Sequence, residues 1–127
     1  MGSVITILFG AWHFFVPALW KWYSYIPAEA AELVLAVKAI NFFFSLSLLL
    51  FGVITLLILL LRRDDRTVLT VILGAQTLLW GSRVFFQIVL PQGSEIPAVR
   101  YGMLAVFILT FLLFSFSLAG VSRVIRH

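Results

Sequence analysis

The sequence predicts an all-α fold, a four-helix transmembrane bundle running up-down-up-down with both termini on the cytoplasmic side. Two observations carry this expectation. The chain is 63% hydrophobic and only 11% charged, whereas an ordinary soluble domain is about 45–50% apolar and about 25% charged. A soluble fold of 127 residues buries too small a share of its surface to hide that excess, so the excess faces lipid. The apolar residues also fall into four runs, each reaching the roughly 20 residues that a spanning helix needs. One membrane domain, residues 1–127, is the expected organisation.

The expected helices cover about 3–23, 28–61, 67–90 and 100–123. Spanning strands would alternate polar and apolar residues in segments of about ten. Leu48-Leu49-Leu50-Phe51 and the stretch from Leu56 to Leu61 do not alternate. No basic leader or small-residue cleavage site precedes the first run, which is therefore expected to remain as a helix. It ends at Tyr25-Ile26-Pro27, with Pro27 placed to begin the second helix. Glu29 and Glu32 then fall in its opening turns, where carboxylates complement the helix dipole. From Ala28 to Leu61 that helix would extend about 51 Å, against a hydrocarbon core of about 30 Å. Residues 28–37 are expected to protrude into water, with tilt of the whole helix or an interfacial segment as the alternatives. Arg62-Arg63-Asp64-Asp65-Arg66 makes a tight charged hairpin before the third run. The longest loop, Pro91 to Pro97 and including Glu95, precedes the fourth.

Orientation follows from the basic residues, which concentrate on the cytoplasmic side. Arg62, Arg63, Arg66, Arg123 and Arg126 share one side, while Lys21 and Arg100 flank the other. Trp20, Trp22, Tyr23 and Tyr25 form an aromatic belt where the first helix emerges, and Tyr101 opens the fourth.

Polar residues inside the runs are the main functional signal, because ionisable groups in hydrocarbon cost about 3 kcal/mol or more and normally face protein. Gln76, Trp80, Arg83 and Gln87 recur at helical spacing on the third run. Thr6, Gly10, His13, Pro17 and Trp20 do so on the first, and Lys38, Asn41, Ser45 and Gly52 on the second. The fourth run offers Thr110 and Ser117. The expected ligand-binding residues are His13, Lys38, Asn41, Gln76, Trp80, Arg83 and Gln87, most of them in the outer half of the bilayer.

Each has a structural alternative. Arg83 and Lys38 can snorkel to the interface, and Asn41, Gln76 and Gln87 can bond between helices, worth about 0.6–2 kcal/mol each. Trp80 can simply pack, Pro17 can kink its helix, and Gly74 and Gly81 can admit close helix approach. His13 must share an N–H and a lone pair with some partner, whether structural or bound.

Other chemistries lack their residues. There is no cysteine, no acid within a helix core, no Gly-rich phosphate loop and no nucleophile elbow. His127, the second histidine, lies at the far end of the chain, so a bis-histidine haem site is not expected. Catalytic residues, metal ligands and cofactors are therefore not expected. The net charge of +4 is too small and scattered for nucleic acid.

In helix count, inside termini, charged hairpin and aromatic first exit, the chain resembles the small DoxX-like membrane proteins. That resemblance implies a four-helix architecture and carries no activity. The expected function is that of a lipid-, quinone- or small anionic amphiphile-binding protein, or an accessory subunit, in the bacterial inner membrane. Membrane lipid, a second copy or a larger membrane complex are the expected partners. An oligomeric transporter or channel, and a lipid-modifying membrane enzyme, are the second and third readings.

Overall fold

Pro17 has no N–H to give the carbonyl of His13, and its ring crowds that same carbonyl. In the computed structural model, which describes residues 1–91 and 96–123, the first helix accordingly stops at His13. Helix α1 covers Gly2–His13, and after a turn a short helix α2 covers Val16–Leu19 with Pro17 in its first turn. A 3-10 turn, Trp22–Tyr25, follows. The single helix expected over 3–23 is thus broken into three pieces. Lys21, between the last two, adopts a left-handed backbone at φ 52°. Its carbonyl accepts from both the backbone N–H and the hydroxyl of Ser24, which holds the chain in a conformation that costs a non-glycine residue about 1–3 kcal/mol.

Helix α3 runs Ala31–Leu61, α4 runs Arg66–Val89 and α5 runs Pro97–Arg123. Every regular element among the described residues is helical. Helix α3 starts later than the sequence suggests. Pro27 sits in a preceding turn, its carbonyl bonded to the Ala30 N–H, so Glu32 lies in the first helical turn and Glu29 does not. The connection Arg62 to Asp65 ends in a side-chain cap, the Asp65 carboxylate accepting from the Val68 N–H at 3.0 Å. That bond satisfies one of the donors a helix start leaves open. Pro97 opens α5, where a missing N–H costs nothing, and so this helix begins three residues before Arg100. Glu95, Arg126 and His127 lie outside the described residues.

Three helices, α3, α4 and α5, are long and apolar enough to cross a membrane. Helix α1 is apolar but has 12 residues, about 18 Å of helix. The chain divides into two compact units, Ser3–Ile54 and Met1–Gly2 with Thr55–His127. Each unit encloses polar side chains while large apolar ones are exposed. In Ser3–Ile54 the buried Ser3, Thr6, His13, Asn41 and Ser45 outnumber the buried Val16 and Leu48, and in the other unit Thr55, Gln76, Gln87 and Thr110 are buried beside Leu69, Leu73, Trp80, Phe107 and Phe114, while Ile40, Leu78, Phe85 and Phe116 are exposed. Exposed large apolar side chains beside buried polar ones are what a hydrocarbon solvent selects. Exposed hydroxyls fit the same solvent, because Ser82, Ser117 and Ser122 each donate to the carbonyl four residues back. The hydroxyls on those turns therefore need no water.

Candidate functional site

In the unit Ser3–Ile54, the buried face of α1 is built from Ser3, Thr6, Gly10 and His13, and that of α3 from Asn41, Ser45 and Leu48. Both sets follow the three-and-four spacing of a helical stripe. Small residues let the two backbones approach. A Cβ at Gly10 would lie 2.7 Å from the Leu49 amide nitrogen, and one at Gly52 would lie 2.8 Å from Ile7 Cγ1.

This closeness brings His13 to α3. Its Nδ1 is 3.2 Å from Ser45 Oγ, and Ser45 donates to the Asn41 carbonyl at 2.6 Å. A hydroxyl has one proton, and here it points to a carbonyl that can only accept. Nδ1 must therefore be the protonated nitrogen, which leaves the lone pair of a neutral His13 on Nε2. Aromatic rings surround the imidazole, Phe44 at 4.7 Å, Phe9 at 5.9 Å and Trp22 at 6.5 Å between centroids. The Asn41 side chain is buried, and its Oδ1 has no hydrogen-bond partner among the described residues. Lys38 does not join this group. It is exposed, and its Nζ lies over the Tyr23 ring at 5.3 Å.

In the second unit, α4 carries the other predicted residues. Leu69, Leu73, Gln76, Trp80 and Gln87 are buried along one face, with Arg83 half-buried in the same stripe. Gln76 donates from Nε2 to Thr55 Oγ1 at 2.7 Å. Trp80 packs on Phe107 of α5 at 5.7 Å, and the Arg83 guanidinium carbon lies 5.1 Å from the same ring. Phe107 is fully buried, so one aromatic ring orders both residues. Gly81 admits the Phe111 ring, which a Cβ there would approach to 3.1 Å, whereas Gly74 faces open space and does not serve helix approach. On α5, Thr110 is buried and bonds back to Val106, while Ser117 is exposed.

Gln87 is placed differently. With Ile88, Pro91, Arg100, Tyr101 and Leu104 it lines a cavity of about 250 Å³ where α4 ends and α5 begins. Arg100 Nε is buried there without a hydrogen-bond partner among the described residues.

The predicted residues thus form small local groups. His13 and Asn41 connect through Ser45, Trp80 and Arg83 through Phe107, Gln76 meets Thr55, and Gln87 shares a cavity with Arg100. Thr55 and Arg100 were missed by sequence reasoning, although each carries a signal. Thr55 is the one polar side chain between Leu48 and Leu61, and Arg100 is a cation in the opening turn of a helix that has no acid there. Among the described residues no group of three or more His, Cys, Asp or Glu is placed to hold a metal ion. Comparison with known protein families, curated proteins and solved structures gives no match.

Proposed function

We propose that the chain is a polytopic inner-membrane protein that binds an amphiphile (a lipid, a quinone or a small anionic amphiphile) through polar side chains in the outer half of the bilayer. In this reading it crosses four times, up-down-up-down, with both termini cytoplasmic. The first crossing is the broken segment from Gly2 to Leu19, about 27 Å if helical throughout, close to the hydrocarbon thickness. His13 and Asn41 would serve in one unit, and Gln76, Trp80, Arg83 and Gln87 in the other, with Lys38 at the interface.

The observation that carries the reading is the inverted burial of α4. Its glutamines are buried while Leu78, Phe85 and Ile88 are exposed. A glutamine at membrane depth needs polar partners, and for Gln76 one of them is Thr55. Arg83 adds to this, since a half-buried guanidinium within a span is costly, and it lies against the Phe107 ring.

The test is lipid and quinone analysis of protein purified in native membrane patches. Arg83→Leu and His13→Ala proteins should lose a co-purifying amphiphile and the thermal shift it produces in wild type. Unchanged retention and unchanged shift in both variants would end the proposal.

A further inference from the structure

The cavity at the junction of α4 and α5 combines three features. Its lining is mixed, with Arg100, Gln87 and Tyr101 beside Ile88, Leu104 and Pro91. Arg100 stands in the first turn of α5, at the positive end of the helix dipole, and the described residues of that turn include no acid. The cation therefore sits where its own helix repels it, with a buried Nε–H that no described residue accepts. Ile88 is 61% exposed, so the apolar wall continues onto the lipid-facing surface of α4.

An occupant that answers all three is an oxyanion with an apolar tail. The anion would accept from the Arg100 guanidinium in the paired geometry that arginine offers phosphates, and it would oppose the positive end of α5. The Tyr101 hydroxyl is a further donor on the same wall. The space is smaller than the roughly 300–1,000 Å³ of pockets that engulf a drug-sized molecule. It suits a headgroup whose chains lie outside along Ile88 and Leu104. The site is also at the end of two spans, the depth at which lipid phosphates are found.

We infer that this cavity is a seat for the phosphate of an anionic phospholipid, with Arg100 as its principal ligand. The inference rests on the reading of the chain as an amphiphile-binding membrane protein, but it depends on Arg100 and Leu104, which that reading does not use. Arg100 holds the phosphate, and Leu104 leaves room for it.

Full-length protein in detergent, titrated with phosphatidylglycerol, phosphatidylcholine or inorganic phosphate and followed by native mass spectrometry, tests the assignment. Wild type should retain phosphatidylglycerol at least five-fold better than phosphatidylcholine. Inorganic phosphate at the same concentration should not displace it. Arg100→Gln should abolish that preference, Arg100→Lys should keep part of it, and Leu104→Trp should abolish it by filling the cavity with the charge intact. Circular dichroism and melting of each variant identify any that fails to fold, and the two routes to loss are independent. Undiminished preference in both Arg100→Gln and Leu104→Trp would overturn the seat. Displacement by inorganic phosphate would overturn the lipid and leave a plain anion site. The wider reading fails separately, through Arg83→Leu and His13→Ala, so loss in one pair of variants with retention in the other tells the two apart.

Discussion

The two units hold their helices together by different means. In Ser3–Ile54 the contact is backbone on backbone, made possible by Gly10 and Gly52, whose missing side chains leave under 3 Å for any added atom. In the unit containing α4 and α5 the contact is made by large rings, Trp80 on Phe107 and Phe111 against Gly81. Both solutions suit a membrane, where lipid is as apolar as leucine and association depends on fit and hydrogen bonding. They differ in tolerance. A glycine crossing resists any enlargement, whereas an aromatic contact resists any truncation.

Four measurements sharpen or break that contrast, all by reversible unfolding in mixed micelles. Trp80→Ala should be the most damaging, by about 3–5 kcal/mol, because it removes a fully enclosed indole and leaves a cavity. Gly10→Ala should cost about 1–3 kcal/mol despite adding a better helix former, since the new methyl meets the Leu49 backbone rather than a side-chain tip that can move. A wild-type-like midpoint for Gly10→Ala would show that α1 and α3 can separate freely. Next, a double-mutant cycle on Gln76→Leu and Thr55→Val should return a coupling of about 0.6–2 kcal/mol, the range for hydrogen bonds between membrane helices. Zero coupling would remove this bond from the account of α4. Finally, Gly74→Ala should stabilise by about 0.5–1 kcal/mol, because its Cβ meets nothing and helical glycine carries an entropic penalty. A loss there instead would place an unrecognised close neighbour at Gly74.

Much of this was legible in the residue order. The helical periods of Gln76, Trp80, Arg83 and Gln87, and of Thr6, Gly10 and His13, foretell shared faces because hydrocarbon leaves few options for such groups. What the order does not carry is the third dimension of each contact. Lys38 matches the period of Asn41 and Ser45, yet its long stem takes the charge to the Tyr23 ring instead. Gly74 and Gly81 are equivalent by spacing, and only the Phe111 ring distinguishes them. Arg100 looks like a simple topology marker until the end of α4 closes one side of a cavity around it. The ending of α1 lay in a single residue whose strength is hard to judge alone, since proline inside a membrane helix sometimes only bends it.

That ending also separates the backbone into segments of unequal endurance. Proline contributes no exchangeable amide, and the turns on either side of Pro17 rest on bonds such as Phe15 N–H to the Trp12 carbonyl and Lys21 N–H to the Ala18 carbonyl, each spanning only three residues. Deuterium should therefore enter the amides from Phe14 to Lys21 well before those in the middle of α3, whose helix is unbroken for 31 residues.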